Sequence, residues 1–483
     1  MTHMQRGMRS ALLLTFGGAF LGHASAQTTV PQNSLVYIQN IPVPNWTTTG
    51  STQANFDLFA FNPRTRVMYV ADRTNKSVTA IDTISNGVIG ILPLPSGGST
   101  NGVLVVPELQ KLVVTDGKAN VFVYDLRLPG TMPDTYVIPG ITAGTDALDY
   151  DPLNRTVYVI NGTAPYFITG IDLAAGGIRS QLALPGSPEL MRFNPNDGLI
   201  YQVITDSDNK NAGAGLYVFD PVANAIKTHY LTPNCVPHGI DIDPVTNVAL
   251  LGCGTDQGQV MMDLTHGSIL KQFSDVTGTD LLLFNSNTRN FYTGSGSNVS
   301  TTTGCPADST KAFPVIGVFN SPGPGLAKLV GVQCTGRNAH GLGVDPLDNF
   351  VYVGVRQYPV DASDASTGQS GVLVYFDPAP RLDTTRGTHA ALSSLDGKQN
   401  FGTIQFTTDQ HRGLRGTISV QGLQTVEALI NVPTTLGNEV VECGVNPGDG
   451  GLFCDGPLFG APLIGATATL AVNGAAMARG PIQ

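Results

Sequence analysis

Leu148-Asp-Tyr-Asp-Pro152, then Val157-Tyr-Val159, then Ile171-Asp172 spells an apolar strand, a tight turn, a second strand and a third strand ending in an acid. The same phrase recurs along the chain. It reads Phe59-Ala-Phe-Asn-Pro63 with Met68-Tyr-Val70, Val103-Leu-Val-Val-Pro107 with Leu112-Val-Val114, and Met191-Arg-Phe-Asn-Pro195 with Leu199-Ile-Tyr201. Three more units complete it: Ile240-Asp-Ile-Asp-Pro244 with Val248-Ala-Leu-Leu251, Leu282-Leu-Phe-Asn-Ser286 with Phe291-Tyr-Thr293, and Leu342-Gly-Val-Asp-Pro346 with Val351-Tyr-Val353. The turn positions 63, 107, 152, 195, 244, 286 and 346 lie 42 to 49 residues apart, with a longer final interval. That is the length of one four-stranded propeller blade. The predicted fold class is therefore all-β: a seven-bladed β-propeller whose blades run from an inner strand A through B and C to an outer strand D.

Outer strands are expected at Val88 to Leu92, Ile178 to Leu184, Ala225 to Leu231 and Ile269 to Phe273. The seventh unit reaches strand C at Val372 to Phe376 and then meets Pro378-Ala-Pro380, with no outer strand of its own. The segment 35–41 fits that gap and is expected to close the ring, which would remove the exposed edge of the last sheet. The propeller is placed at 27–377. From 378 to 483 the repeat stops, and strand-like runs at Phe401 to Phe406, Gly416 to Val420, Val426 to Val432 and Thr467 to Val472 predict a small β-rich appendage. Cys443 and Cys454 are close enough there to staple a local loop.

Arg6 and Arg9, an apolar run from Ala11 to Leu21 and Ala24-Ser25-Ala26 read as a signal peptide over residues 1–26, predicting a secreted or periplasmic protein. Removing those two arginines from 26 basic residues leaves 24 against 36 acidic, a formal charge of −12, which makes nucleic acid a poor partner. Composition agrees with short strands and many turns, with 57 Gly and 32 Pro in 483 residues. Six cysteines in an exported chain favour disulfides, and without a C-x-x-C-H sequence covalent haem is not expected. The uncharged stretch 456–478 is rich in Gly, Pro, Asn and Thr, so buried strands are expected there and no membrane span in the mature chain.

The units with Met68-Tyr-Val70, Val157-Tyr-Val159 and Val351-Tyr-Val353 resemble the YVTN-type β-propeller family over roughly residues 35 to 377. The resemblance implies a seven-bladed propeller of the kind found in secreted and surface-layer proteins and in lactonase-like enzymes. One propeller scaffold hosts many activities, so function has to be argued from a site.

Two features point to one. The A-to-B turns are short and alike, whereas B-to-C connections swell at Thr205 to Ala214, Ser295 to Ala312 and Arg356 to Ser370, which makes that face the place for recognition. The pairs Cys235/Cys253 and Cys305/Cys334 belong to the same rim. Six residues before each turn position stand Asp57, Asn101, Asp146, Glu189, His238, Asp280 and His340, all polar, beside Leu58, Gly102, Ala147, Leu190, Gly239, Leu281 and Gly341. This register begins each inner strand and should crown the central channel.

Crowded carboxylates raise each other's pKa or recruit a cation. Glu189, His238, Asp280 and His340 form a candidate metal set of two imidazoles and two carboxylates, suited to Zn, Mn or Fe. Asp57, Asn101 and Asp146 form an all-oxygen set, suited to Ca. Arg337 and Asn338 are candidate ligand contacts for an anion. Two functions compete: a module that binds a small molecule or a protein at the variable face, and a metal-dependent hydrolase or lyase in which His238 or His340 acts as general base. A single tryptophan, Trp46, argues against a quinone-cofactor propeller, and no G-x-S-x-G elbow is present.

Overall fold

A computed structural model describes residues 31, 34–46, 54–107, 109–205, 213–244, 246–321, 326–363 and 368–379, and beyond them the backbone of strands between 389 and 481. The segment read as a signal peptide, 1–26, lies outside the described residues. Seven four-stranded antiparallel sheets follow one another along the chain. Their inner strands are Phe56–Asn62, Val103–Val106, Thr145–Asp151, Ser187–Asn194, Pro237–Asp243, Leu281–Asn285 and Leu342–Asp345. These strands and the B strands beside them are almost wholly buried, while outer strands such as Gly87–Pro93 alternate between wet and dry faces. The core is thus shared between blades, as inner strands buried on both faces require.

The uniform turns have a common cause. In five units the Asn or Asp before the turn accepts a hydrogen bond from the backbone N–H two residues on: Asn62 from Arg64, Asp151 from Leu153, Asn194 from Asn196, Asn285 from Asn287 and Asp345 from Leu347. Such an Asx turn starts the reversal. A residue of positive φ three places after each turn position ends it in all seven units: Arg66, Gln110, Arg155, Gly198, Asn247, Arg289 and Asn349. This is the left-handed residue that lets a short hairpin loop match the strand twist. The Asp at the end of most C strands repeats the device, as Asp82 does with Ile84 and Asp220 with Val222.

Strand Val36–Ile41 occupies the fourth position of the seventh sheet, antiparallel to Gln369–Phe376, from Val36 opposite Phe376 to Ile41 opposite Val372. The segment before it also reaches blade six, where Val332 N–H donates to the Pro31 carbonyl at 2.9 Å. Around the uniform face, Arg66 of blade one pairs with Asp345 and Asp348 of blade seven, and Arg289 of blade six pairs with Asp243 of blade five.

The tail exceeds its sequence reading. Eight strands between His389 and Pro481 close into a barrel, where the sequence suggested four strand-like runs. Gly437–Val445 pairs with Gly451–Asp455 so that Cys443 lies opposite Cys454; their side chains, and so the staple expected of them, lie outside the described residues. Among the described residues no helix is long and apolar enough to cross a membrane.

Candidate functional site

The polar register sits where the inner strands begin, and four of its residues meet the B-to-C connection of their own blade. Arg73 lies against Asp57, Gly117 against Asn101, Gly162 against Asp146 and Gly254 against His238. That places the ring on the face with the variable connections. Glycines fix how closely neighbouring blades approach it. A Cβ on Gly102, Gly239 or Gly341 would come within 2.3 to 2.6 Å of the backbone carbonyl of Asp146, Asp280 or Asp57, the ring residue of the next blade. Only glycine permits that approach.

Two disulfides rigidify the same rim. Cys235–Cys253 joins the approach to the inner strand of blade five to the end of its second strand, with Cα atoms 5.1 Å apart, and Cys305–Cys334 ties the B-to-C connection of blade six to the end of its outer strand at 5.4 Å. Both spans are ordinary for disulfides. The first bridge ends three residues from His238 and holds that imidazole beside its neighbours.

The structure brings three of the ring residues together. One ligand atom each from Glu189, His238 and Asp280 lie within 4.8 Å of one another, and His238 Nδ1 is 3.7 Å from Glu189 Oε1. The side chains of Glu189 and His238 keep about a third of their surface in solvent, 35% and 33%. Among the described residues no side chain or backbone group donates a hydrogen bond to either the Glu189 or the Asp280 carboxyl. Burial, followed by the charges of Asp280, Asp146 and Asp57, pushes the Glu189 pKa well above the usual range. Burial likewise raises Asp146 to about 6, with Arg73 pulling down and Asp280 pushing up.

His340 stands apart from this trio. Its Nε2 is 3.0 Å from the Phe56 carbonyl, which makes that nitrogen the N–H donor, and its ring stacks on Phe56 at 5.0 Å and 14°. Trp46 stacks on the other side of the pile at 5.1 Å from Phe56 and donates its indole N–H to Asp72 at 2.9 Å. Burial first lowers the His340 pKa, so the imidazole is neutral at pH 7. In the first two blades, Arg73 reaches both Asp57 and, at 3.1 Å through Nε, Asn101. The all-oxygen set that would suit Ca thus already carries its cation in a side chain. Burial and Asp146 push Asp57 up while Arg73 pulls it back.

Arg337 and Asn338, read from sequence as anion contacts, lie in the connection into blade seven. Arg337 Nε is 3.8 Å from the buried Asp308, and its backbone pairs with Gln357. Asn338 has φ 60°, and its side-chain Nδ2 is buried without a partner. Sequence reading missed Arg73 and Arg356, although a register reveals them. Ten residues after each turn position stand Arg73, Gly117, Gly162, Thr205, Gly254, Gly296 and Arg356, so two adjacent blades carry arginine where four others have glycine.

Along the channel Arg192 Nε bonds Asp241 at 3.1 Å and Asp149 accepts from the Phe193 N–H at 2.6 Å, beside a cavity of about 60 Å³ lined by the inner strands.

No family model matches the chain, and no curated protein matches it. Among solved structures the chain is similar to hydrazine synthase of Kuenenia stuttgartiensis, at 13% identity and a TM-score of 0.50 over 62% of this chain and 92% of that one. It is also similar to a chain from the crystal structure of a mitotic checkpoint complex, at 12% identity and a TM-score of 0.53 over 77% of this chain and all of that one. At such identities the likeness carries the propeller fold alone.

Proposed function

We propose that this chain is an exported, YVTN-type propeller that binds a small ligand at the channel mouth of its variable face, through one divalent transition-metal ion held by Glu189, His238 and Asp280. The observation that carries this reading is the convergence of one nitrogen and two carboxylate donors within 4.8 Å. Donors on one metal at bond lengths of about 2.1 Å sit roughly 3 to 4 Å apart, so the trio needs only small rotamer shifts to close. One imidazole with two carboxylates suits Zn, Mn or Fe. Three protein ligands leave a coordination position for an exogenous oxygen donor, and the ion supplies Lewis acidity there. Two disulfides and the amino-terminal sequence support export.

No observation favours turnover over binding. The partly exposed side chains of Glu189 and His238 suit a ligand held at the mouth, and His340 is engaged by Phe56 and set apart from the trio. The test is metal content by elemental mass spectrometry of the natively exported protein, dialysed without chelator. Near-stoichiometric metal is expected in the native chain and in His340→Ala, with loss in His238→Ala and Asp280→Asn. Native protein without metal, or trio variants that retain it, would overturn the reading.

A further inference from the structure

We infer that the arc of the mouth where blades seven and one meet is an anion subsite, in which Arg356, flanked by Arg73 and Arg337, receives a carboxylate or phosphate group of a small ligand. This rests on reading the mouth as a ligand site, but it does not need the metal. The first ground is charge balance. Arg73 is paired with Asp57, and Arg337 lies near Asp308. Arg356 has no carboxylate partner among the described residues: its Nε donates to the Ala54 carbonyl at 2.6 Å, and its two terminal nitrogens are left over. Burial and the fields of Arg337 and Arg73 lower its pKa, the mark of a cation lacking compensation.

The second ground is the register. The position ten residues past the turn meets the ring residue of its own blade in blades one, two, three and five, and is glycine in blades two, three, five and six. Arginine stands there in blades seven and one alone, near enough for the charge of Arg73 to act on Arg356. Arg356 is half-buried with its Nε held by Ala54, which leaves the guanidinium fork at the edge of the mouth. A planar guanidinium fork matches an oxyanion with two parallel hydrogen bonds. Asn338, next to Arg337 in the chain, adds a side-chain N–H without a partner.

The ligand implied has an anionic group at one end, for this arc, and an oxygen donor at the other, for Glu189, His238 and Asp280. Small hydroxycarboxylates and phosphorylated alcohols share that chemistry. Conveniently, the chain's single tryptophan stacks on Phe56, which in turn stacks on His340, so Trp46 fluorescence reports events in this arc.

The experiment titrates inorganic phosphate and, separately, succinate into the full chain at low ionic strength, after chelator stripping and dialysis, following Trp46 emission and heat. Saturable binding of at least one anion with Kd below about 10 mM is expected. It should weaken at least tenfold in Arg356→Gln, and by a smaller factor in Arg356→Lys, which keeps the charge but loses the fork. The stronger anion assigns the ligand's class. No saturable binding, or equal binding in Arg356→Gln, overturns the subsite. If Arg356→Gln melts far below the native chain, Arg337→Gln decides instead: weakened binding supports the subsite, and unchanged binding overturns it. Because no metal is present, failure here leaves the trio untouched, and a metal-free native protein would leave this result standing.

Discussion

Asp57 of blade one and Asp280 of blade six occupy the same register of equivalent strands, yet Asp57 is bridged by Arg73 while no side chain or backbone donor among the described residues reaches the Asp280 carboxyl. Between them the mouth divides into two arcs. Blades seven and one carry Arg337, Arg356 and Arg73, and blades three to six carry Asp146, Glu189, His238 and Asp280. The difference teaches that the ring is not a uniform cap of strand ends. A cap would treat like positions alike, as the Asx turns of the opposite face do. Here one arc is over-supplied with cations and the other with carboxylates, an arrangement that stores binding capacity for charge of both signs.

Opening the ring is the harshest way to break the comparison, because strand Val36–Ile41 supplies the fourth strand of blade seven and leads in the chain into blade one. Leu35, Ile41 and Val43 are 3%, 2% and 4% exposed. Burial of three such side chains contributes about 5 kcal/mol, before the hydrogen bonds to Gln369–Phe376 are considered. Deleting residues 30 to 45 should lower the melting temperature by more than any point substitution and redden Trp46 emission. Unchanged melting would show that the ring holds without its amino-terminal strand.

Arg73→Ala comes next. It leaves Asp57, whose side chain is 12% exposed, beside Asp146 without its cation. Breaking a buried pair this way costs several kcal/mol, but Arg73 is 28% exposed and screened, so about 2 kcal/mol is expected by chemical denaturation. In the other arc the sign reverses. Glu189→Gln or Asp280→Asn removes one charge from an uncompensated group and should stabilise the metal-free protein by up to about 1 kcal/mol while abolishing metal uptake. Destabilisation by both neutral variants would mean the two arcs are alike.

How much of this was legible from sequence follows from what repeats. The Asn or Asp before six of the seven turns and the inner-strand pattern recur because five blades make the same hydrogen bond there, so Asp57 through His340 could be read as one register. Arg73 and Arg356 sit in connections whose lengths differ between blades, so the pattern of strands does not point at them; aligning ten residues past the turn does. The pairing of Glu189, His238 and Asp280 without His340 depends on the stack of Trp46, Phe56 and His340, a contact between segments nearly 300 residues apart that no local spacing encodes. The barrel after 388 was only half legible, because strands such as His389–Ser394 and Ala475–Pro481 are short and rich in small residues.

The smallest effect sharpens the comparison most cleanly, since it titrates one carboxyl of the acidic arc. Asp146 is raised from 3.8 to about 6. Below about pH 3 both folded and unfolded chains hold this proton, and the group's contribution to stability is fully present. As pH rises to 6 the unfolded chain releases the proton first, and the contribution is lost. His340, with its lowered pKa, acts in the opposite direction over a neighbouring interval, so the raw melting profile mixes several groups. The difference between the native chain and Asp146→Asn cancels the rest. In metal-free protein that difference should be near zero at about pH 3, grow through about pH 4 to 6, and level off at about pH 7 with the variant more stable by less than about 1 kcal/mol, or ~2 °C. A flat difference would mean that Asp146 is solvated like a surface carboxylate, and the acidic arc would then hold one charge fewer than its geometry implies.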